Sequence, residues 1–398
     1  MDLIIYPRKL CGEVNIIPSK SHAHRSLICA AFSDVSTQII CQTASQDIDA
    51  TVRCLNALGA DIQRTEKGYY VKPVSVVPDS AVLDCGESGS TLRFMLPLCA
   101  SLGVNTVFQM HGRLPQRPLS PLWEELERMG CTLSRPTNDT IECRGQLHAG
   151  IYTIDGSVSS QFITGLMLAL SLLPGNSQIQ LTGNVESKPY IRLTEEVLSC
   201  FGVNCTAYQF NGRLKLNSPG TVYVEGDWSN AAFFLCANAL GNNITLSGLQ
   251  NDSVQGDRAV VSMLNQLTEY TTISGEDTPD LIPILSVVAG AVKGASFVNI
   301  GRLHIKESDR IASVAQMLTA LGVPVLEGTD YLTIYPGHYH GCIIDAHNDH
   351  RIAMSAAIAS TVSDGPVVIL GAECVAKSYP NFWEEFINLG GYYEQYIR

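Results

Sequence analysis

The sequence predicts an α/β protein made of repeated strand–helix units, and three patterns along the chain support this fold class. First, six polar or Gly/Ser-rich segments each run into a small-residue apolar stretch, which is typical of a helix start followed by a buried helix. Second, an amphipathic helix follows each of these, and most of them end at a glycine. Third, short stretches between the helices show the alternation that is typical of strands.

The six helix starts recur roughly every 55–70 residues, which is longer than a solenoid period and predicts strand–helix–strand–helix modules. They lie at Pro18–Ala31, Gly86–Ala100, Asp155–Leu170, Glu225–Leu240, Thr278–Ala291 and Asp345–Ser360. The amphipathic helices are predicted at Asp47–Leu58, Pro121–Met129, Ile191–Phe201, Asp257–Leu267, Ser308–Leu321 and Phe382–Leu389. Ordinary α/β alternation without repetition is the alternative, and the recurring polar starts favour the repeat.

Length, charge and cysteine usage limit the classes of protein. The 398 residues suffice for two domains of about 200 residues each, so we expect two groups of three modules that meet near Gly220–Asp227. A formal charge of −12 argues against nucleic acid or an anionic membrane as partner, although local cations can still bind a small anion. The 13 cysteines include no C-x-x-C pair, and we expect neither a signal peptide nor a membrane span, so a cytoplasmic location is predicted.

Four segments place cations where helices are predicted to begin. They contain Lys20 with Arg25, then Arg93 at the end of Gly86–Arg93, then His304–Arg310 and His347–Arg351. Backbone N–H groups without partners and the helix dipole favour an anion at such a position. For any one segment a solvated helix cap is the better explanation, but four segments at the same place in the module predict a shared anion site. The Gly86 segment lacks the lysine of a P-loop, so nucleotide binding is not expected.

Two further groups of residues bear on the chemistry. Asp155-Gly-Ser-Val-Ser-Ser-Gln161 offers hydroxyls and an amide without a nucleophile elbow, which favours phosphate recognition over serine catalysis. The histidine pairs 22/24, 338/340 and 347/350 have spacings that a metal can use. Because no cysteine or carboxylate stands at a matching spacing beside them, we predict no metal site.

Together these motifs resemble the EPSP synthase family, the 3-phosphoshikimate 1-carboxyvinyltransferases of chorismate and aromatic amino acid biosynthesis. The resemblance covers nearly the whole chain and rests on six motifs in order: Ser-Lys-Ser at 19–21, Gly-x-Ser-Gly-x-x-x-Arg at 86–93, Asp-Gly-Ser-Val-Ser-Ser-Gln at 155–161, Ser-Lys-Pro-Tyr at 187–190, Lys-Glu-Ser-Asp-Arg at 306–310 and Asn-Asp-His-Arg at 348–351.

The resemblance implies a two-domain inside-out α/β barrel with three strand–helix repeats per domain and an active site in the interdomain cleft. The first domain would span residues 17–224 and form the 3-phosphoshikimate-rich side. The second would combine residues 1–16 with 225–398 and form the phosphoenolpyruvate-rich side. A cytoplasmic monomer without metal or organic cofactor is implied.

The family reaction transfers the enolpyruvyl group of phosphoenolpyruvate to the 5-hydroxyl of 3-phosphoshikimate and releases phosphate. The resemblance assigns to 3-phosphoshikimate the residues Lys20, Ser21, Arg25, Ser159, Ser160, Gln161, Ser187, Asp280 and Lys306. It assigns to phosphoenolpyruvate the residues Lys20, Gly89, Arg117, Gln161, Arg310, Arg351 and Lys377. Asp280 would be the base for the hydroxyl, and Glu307, helped by Lys20, would carry the proton for the methylene carbon. Gly89 would leave space for the inhibitor glyphosate, although Glu87 replaces the asparagine that most members carry.

Two alternatives remain at the level of sequence. UDP-N-acetylglucosamine enolpyruvyltransferases resemble this family in fold and donor, but they carry a reactive cysteine in a mobile loop of the first domain. The corresponding segment here, His111–Pro118, contains no cysteine. The other alternative is a non-catalytic anion-binding protein of the same fold, in which Asp280 and Glu307 would be dispensable.

Overall fold

A computed structural model of the chain describes residues 1–213 and 215–397. The chain forms two compact units, which we call the first unit, Pro18–Glu225, and the second unit, Met1–Ile17 with Gly226–Arg398. These bounds differ by one residue from the predicted ranges of 17–224 and of 1–16 with 225–398. The predicted ranges also include Leu214 and Arg398, which lie outside the described residues.

The strands are short and are numbered along the chain. They are β1 Leu3–Tyr6, β2 Cys11–Asn15, β3 Thr37–Ile40, β4 Asp61–Thr65, β5 Gly68–Lys72, β6 Ser80–Asp84, β7 Asn105–Gln109, β8 Cys131–Ser134, β9 Thr140–Gly145, β10 Ile151–Asp155, β11 Gly175–Thr182, β12 Gln209–Gly212, β13 Thr221–Tyr223, β14 Asn243–Ser247, β15 Thr271–Ser274, β16 Ala295–Val298, β17 Val325–Glu327, β18 Tyr331–Ile334, β19 Cys342–Asp345, β20 Val367–Leu370 and β21 Tyr392–Gln395.

The α-helices alternate between buried and amphipathic ones, as the sequence pattern predicts. They are α1 Lys20–Ala31, α2 Gln46–Ala57, α3 Gly89–Leu102, α4 Leu122–Arg128, α5 Ser160–Leu172, α6 Lys188–Cys200, α7 Trp228–Ala239, α8 Val260–Gln266, α9 Ile282–Ala291, α10 Arg310–Ala320, α11 His350–Ala359 and α12 Phe382–Asn388. The helix predicted at Asp257–Leu267 is shorter than expected, because Gly256–Ala259 forms a 3₁₀ turn ahead of α8. Within the described residues, each helix is too short or too polar to cross a membrane.

The described part of the first unit contains three sheets, with strand orders β13-β3-β5-β4, β6-β7-β9-β8 and β10-β11-β12. Each sheet has one parallel pair, for example β6 with β7 and β10 with β11. A parallel pair needs a crossover connection, and the buried helices α3 and α5 provide it. The strand β13 returns from the end of the unit to pair in parallel with β3.

The described part of the second unit repeats this plan with the strand orders β14-β2, β15-β16-β18-β17 and β19-β20-β1-β21. Its parallel pairs are β2 with β14, β15 with β16, and β19 with β20. The N-terminal strand β1 lies antiparallel to both β20 and β21, so the two ends of the chain belong to one sheet.

Buried helices form the core of each unit. Every residue of α11 is buried, and so is every residue of α5 except Gln161. Beyond their first turns both helices are apolar on nearly all sides, so other elements can surround them. In a strand–helix–strand crossover, the helix begins beside the carboxyl end of the strand before it. Several predicted site residues follow the strands β6, β10, β15 and β19 and therefore lie at this end of the sheets, namely Gly89, Ser159, Ser160, Gln161, Asp280 and Arg351.

Candidate active site

Side chains cap the starts of α1, α3, α5, α7, α10 and α11, and all of these helices except α7 carry predicted site residues. A short polar side chain precedes each helix and accepts a hydrogen bond from a backbone N–H of the first turn, which satisfies one of the open donors there. These N-cap residues are Ser19, Ser88, Ser159, Asp227, Asp309 and Asp349. The caps fix where each helix begins, and thereby the position of the cations in its first turn.

Lys20 is the first residue of α1 and forms an ion pair with Asp47 in the first turn of α2. The Lys20 Nζ to Asp47 Oδ2 distance is 2.9 Å, and both side chains are mostly buried. The next residue, Ser21, uses its carbonyl oxygen to accept a hydrogen bond from Arg25 Nη1 at 2.7 Å. The ammonium of Lys20 is thus held at the helix start by a carboxylate that no sequence motif marks.

Arg25 is buried inside the first unit rather than displayed at the helix start. Its Nε donates to Thr194 Oγ1 at 2.8 Å, and its Nη2 donates to Thr164 Oγ1 and to the Tyr190 carbonyl, each at 3.1 Å. The guanidinium carbon lies 5.1 Å from the centre of the Phe94 ring. Burial lowers the pKa of Arg25 to about 10, so it remains a cation at neutral pH. Arg25 therefore ties α1 to α5 and α6.

Two guanidinium groups converge on the start of α3. A Cβ atom built on Gly89 would lie 2.6 Å from Arg93 Nη1 and 2.6 Å from Arg117 Nη1. Arg93 Nη1 also donates to Gln161 Oε1 at 3.0 Å, and Gln161 Nε2 donates to Ser90 Oγ at 2.9 Å. We call Gly89, Ser90, Arg93, Arg117 and Gln161 the Arg93 cluster. It combines two cations with a helix N-terminus, which is an arrangement suited to binding a phosphate or a carboxylate.

The loop that carries Arg117 is attached to the segment before α3. His111 Nε2 lies 3.0 Å from Asp84 Oδ1, and the His111 backbone N–H donates to the Gly86 carbonyl at 2.8 Å. A Cβ built on Gly112 would lie 2.4 Å from the carboxyl carbon of Glu87. The Glu87 carboxyl, which the resemblance marks as unusual, therefore lies against the backbone of this loop.

The predicted phosphate-binding serines lie at the starts of α5 and α6. Ser159 Oγ caps α5 by accepting from the Gln161 N–H at 3.3 Å, and Ser160 is buried as the first residue of that helix. Ser187 precedes α6 with a φ of 54°, in the left-handed region that a serine seldom adopts. Such strain persists only where the surroundings hold it, and it is common at ligand sites.

Three cations of the second unit surround the carboxylate of Asp280, which lies in the 3₁₀ turn before α9. Arg310 Nη1 donates to Asp280 Oδ1 at 2.7 Å, and Lys306 Nζ donates to the same oxygen at 3.3 Å. Arg351 Nη2 donates to Asp280 Oδ2 at 3.3 Å, and its Nη1 donates to the Asp280 carbonyl at 3.0 Å. Burial lowers the pKa of Lys306, and the neighbouring Asp280 opposes that shift.

Arg310 connects Asp280 to two further carboxylates and is only 1% exposed. Its Nη2 donates to Glu307 Oε2 at 2.6 Å, and its Nε donates to Asp349 Oδ2 at 2.8 Å. Burial alone would raise the pKa of Asp349, but the Arg310 guanidinium holds it below the usual value. We call Asp280, Lys306, Glu307, Arg310, Asp349 and Arg351 the Asp280 cluster. Within it, three cations and three carboxylates balance one another.

A buried acid lies behind this cluster. Arg351 Nη2 donates to Ser229 Oγ at 2.8 Å, and the Ser229 hydroxyl in turn donates to Asp257. Burial raises the pKa of Asp257 to about 6, and the negative charge of Asp280 adds to the shift. Asp257 therefore takes up a proton at a higher pH than an ordinary aspartate.

Lys377 lies at the end of a 3₁₀ turn, Ala372–Lys377, and is 6% exposed. Its Nζ donates to the Asn348 carbonyl at 2.8 Å. Asn348 and the preceding His347 both have a positive φ, of 55° and 50°. This turn aims the Asn348 carbonyl at Lys377 and joins the last predicted cation to the start of α11.

The sequence motifs assign no role to four side chains that the structure places in or beside the two clusters. Arg93 and Asp349 stand inside two of the six motifs, and this position is the sequence signal that points to them. Asp47 and Asp257 lie in ordinary helix-start contexts and had no signal of their own. The pair His338/His340 does have a carboxylate partner, Asp364, although no carboxylate stands at a matching spacing in the sequence.

The first unit also contains a cavity of about 600 Å³ beside β10 and β11, away from the predicted residues. It is lined by Gly150, Ile151, Asn176, Ser177, Gln178, Asn204, Thr206, Gln209, Phe210 and Asn211. This lining is uncharged, so a phosphorylated ligand would find no counter-charge there. The cation clusters, and not this cavity, are the candidate active site.

Comparison with known proteins shows the family to which the chain is similar. The family model for EPSP synthase (3-phosphoshikimate 1-carboxyvinyltransferase) matches residues 5–386. The chain is 39% identical to a 3-phosphoshikimate 1-carboxyvinyltransferase from Clostridium beijerinckii, over 99% of each chain. It is 38% identical to one from Clostridium kluyveri, over 97% of each chain.

Two solved structures are similar in fold. One is EPSP synthase from Acinetobacter baumannii, with a TM-score of 0.80 and 23% identity over 99% of this chain and 100% of that chain. The other is the enolpyruvyl transferase NikO from Streptomyces tendae, with a TM-score of 0.77 and 16% identity over 99% and 98%. They confirm a mixed α/β fold of repeated strand–helix units. With the family match over nearly its whole length, the chain belongs to the EPSP synthase family.

Proposed function

We propose that this protein transfers the enolpyruvyl group of phosphoenolpyruvate to the 5-hydroxyl of 3-phosphoshikimate and releases phosphate, as a step of aromatic amino acid biosynthesis. The observation that carries the proposal is the Asp280 cluster, in which Lys306, Arg310 and Arg351 surround one carboxylate. A site for two multiply anionic substrates needs such a concentration of cations, and a reaction at a hydroxyl needs a base among them.

Phosphoenolpyruvate has a phosphate and a carboxylate, and the Arg93 cluster offers matching donors. The two guanidinium tips beside Gly89 can each form charge-assisted hydrogen bonds, which contribute on the order of 1.5–3 kcal/mol apiece. Gly89 leaves the space between them open, because any larger residue would place its Cβ there. Gln161, bonded to Arg93, would lie between the two substrates.

Phosphate recognition for 3-phosphoshikimate falls to the serines at the starts of α5 and α6, namely Ser159, Ser160 and Ser187. Lys20, Ser21 and Arg25 would support the same substrate from α1, with Arg25 acting through the helices that it joins. Hydroxyls at helix N-termini suit this task because the open N–H groups and the helix dipole add to each hydrogen bond.

Asp280 acts as the base for the attacking hydroxyl. Its carboxylate accepts hydrogen bonds from Lys306, Arg310 and Arg351, and cationic donors favour the ionised form that a base requires. When anionic substrates bind, Lys306, Arg310 and Arg351 exchange part of their hydrogen bonding to Asp280 for hydrogen bonds to the substrates. The proton affinity of Asp280 then rises, so substrate binding itself activates the base.

Glu307, helped by Lys20, delivers a proton to the methylene carbon of phosphoenolpyruvate. The Glu307 carboxylate is paired with Arg310 at 2.6 Å, so it must be freed from this pair or shielded from water before it can act as an acid. The hydroxyl oxygen bonds to the central carbon as the methylene carbon gains its proton. Loss of a proton from the resulting methyl group and departure of phosphate then restore the double bond.

The finer architecture belongs to the same proposal. We expect an inside-out barrel of three modules in each domain, with residues 17–224 on the 3-phosphoshikimate side and residues 1–16 with 225–398 on the phosphoenolpyruvate side. The active site would be the cleft between them, with Lys377 among the phosphoenolpyruvate ligands. We further propose a cytoplasmic monomer that needs no metal for turnover. Glyphosate would compete with phosphoenolpyruvate for the Arg93 cluster.

The test is phosphate release from phosphoenolpyruvate with 3-phosphoshikimate as acceptor, for the wild-type chain and for Asp280→Asn. Loss of a general base lowers a rate by about 10²–10⁴-fold, so we expect Asp280→Asn to lower kcat by that amount. Asp61→Asn is the matched control, since Asp61 is half-exposed in a surface pair with Lys72. It should leave kcat unchanged.

Two results would overturn the proposal. Release of phosphate with UDP-N-acetylglucosamine but not with 3-phosphoshikimate would assign the chain to the other enolpyruvyl transfer. Binding of both anions with no phosphate release, and with the same affinity in Asp280→Asn, would indicate a non-catalytic anion-binding protein.

A further inference from the structure

A cluster of three metal-ligating side chains lies on the surface of the second unit, outside the Asp280 cluster. It consists of His338 and His340, in the segment between β18 and β19, and Asp364, in the turn before β20. One ligating atom from each side chain lies within 4.8 Å of the other two. Asp364 Oδ2 is 2.7 Å from His340 Nδ1 and 3.3 Å from His338 Nε2.

The backbone holds the two histidines on the same side of their segment. Tyr339, between them, is 2% exposed, and its hydroxyl donates to the Val287 carbonyl at 2.5 Å. Because Tyr339 points into the core, its two neighbours are left exposed together. The His340 N–H donates to the Leu321 carbonyl at 2.9 Å, which fixes the segment at the end of α10.

Asp364 is oriented by the same segment. Its backbone N–H donates to the Tyr339 carbonyl at 2.9 Å, and its Oδ1 accepts from the Gly341 N–H at 3.3 Å. Oδ2 is thereby directed to the imidazoles. The His340 ring is confined as well, because a Cβ built on Gly322 would lie 2.6 Å from its Cδ2 atom. The geometry is therefore set by main-chain contacts, although the side chains themselves are exposed.

We propose that His338, His340 and Asp364 form a binding site for a divalent transition metal ion, with Zn²⁺ as the ion that suits the ligand set. Two imidazole nitrogens and one carboxylate oxygen are typical zinc ligands, and water would complete the coordination. Ligands about 2.0–2.1 Å from a tetrahedral ion lie roughly 3.3 Å apart, which matches the His338–Asp364 distance. The shorter His340–Asp364 hydrogen bond opens when the metal replaces its proton.

The site is separate from the candidate active site. β19 and β20 run parallel, with Cys342 opposite Val367, so His340 and Asp364 lie at the amino ends of these strands. The segment that carries Arg351 follows the carboxyl end of β19, about 13 Å away along a four-residue strand. A bound ion would link the amino ends of β19 and β20. It would stabilise the sheet rather than take part in turnover.

The test is calorimetric titration of the metal-free 398-residue chain with Zn²⁺ at pH 7.5. We expect one ion per chain, and at least a tenfold weaker affinity, about 1.4 kcal/mol, in each of His338→Ala, His340→Ala and Asp364→Asn. His148→Ala removes another exposed histidine and should leave the affinity unchanged. All measurements use a Cys11→Ser/Cys200→Ser background, because both of these thiols are exposed.

Two further measurements test whether the ion is bound by the two histidines and Asp364 or by cysteine thiolates. Zn²⁺ should raise the midpoint of thermal unfolding of the parent chain but not of His340→Ala, because an ion bound to the native state stabilises it. Bound Co²⁺ should show visible absorption without a thiolate charge-transfer band. The proposal is overturned if stoichiometric Zn²⁺ binding is not found in the background chain, or if binding persists unchanged in His340→Ala.

Discussion

Gly89→Ala is the substitution that most directly tests the anion-binding role of the Arg93 cluster. The new methyl group would lie 2.6 Å from Nη1 of both Arg93 and Arg117, whereas ordinary contact begins at 3.4 Å. Each guanidinium tip must therefore retreat by about 0.8 Å. A hydrogen bond of about 2.9 Å from either tip to a bound anion would lengthen to about 3.7 Å, which is no longer a hydrogen bond.

The magnitude follows from the strength of such a hydrogen bond. A hydrogen bond to a charged group contributes about 1.5–3 kcal/mol, so breaking one of them weakens binding by about 10- to 150-fold. We expect KM for phosphoenolpyruvate to rise within this range, or beyond it if both guanidinium tips are displaced from the anion. Overpacking can also destabilise the first unit by about 1–3 kcal/mol, so the free energy of unfolding must be measured alongside.

The assay is phosphate release as a function of phosphoenolpyruvate concentration, with 3-phosphoshikimate saturating. Gly365→Ala is the matched control, because a Cβ there would make only ordinary contacts at 3.4 Å in the second unit. Its KM should equal that of the wild type. A Gly89→Ala enzyme that folds normally and keeps its KM for phosphoenolpyruvate within twofold would refute the assignment of this cluster.

Three other perturbations have defined outcomes. Asp349→Asn removes one of the charged partners of the buried Arg310, so chemical denaturation should show that the free energy of unfolding falls by about 3 kcal/mol. Glu142→Gln, at an exposed ion pair, should change the free energy of unfolding by less than about 1 kcal/mol. Equal losses in the two variants would contradict the buried network. Asp257 has a folded-state pKa of about 6 against an ordinary value of 3.8, so its protonation stabilises the fold at pH 5 and this contribution is lost as the pH rises past 6. Asp257→Asn should therefore reduce the stability difference between pH 5 and pH 8 by about 1.4 kcal/mol relative to wild type, and an unchanged difference would show that the shift is absent. Because an anion bound in the proposed cleft would be shared by cations of both domains, 3-phosphoshikimate should reduce the radius of gyration in small-angle scattering, and identical curves with and without it would exclude closure.

The sequence was sufficient to predict where helices begin and which of them are buried. A helix such as α5, with apolar residues on nearly all sides, must be surrounded by other elements to remove those residues from water. The polar residues at the start of such a helix must then lie at the edge of the sheets. This reasoning places Gln161, Asp280 and Arg351 at helix starts, and the structure has them there.

The sequence could not predict which partner each charge would select. Arg25 looks like an exposed cation beside Lys20, but the helix turn directs it inward to Thr164 and Thr194, far along the chain. Pairing between distant segments is decided by strand register and helix packing, which local patterns do not encode.

The same limit applies to acids that reach a cluster residue only through another side chain, or that meet their partners only in the assembled sheet. Asp257 gives no signal, because its effect on Arg351 passes through Ser229. Asp364 becomes a neighbour of His340 only because β19 and β20 pair in parallel. Such contacts depend on the assembled sheet, and a sequence motif is too short to contain them.

The most direct test of the central claim is to identify the product formed from phosphoenolpyruvate labelled with ¹³C at its central carbon and 3-phosphoshikimate. We predict that NMR will show the labelled carbon as a vinyl ether on the 5-oxygen, with one phosphate released for each molecule formed. Labelled pyruvate with unchanged 3-phosphoshikimate, or no turnover while both substrates are bound, would contradict the account.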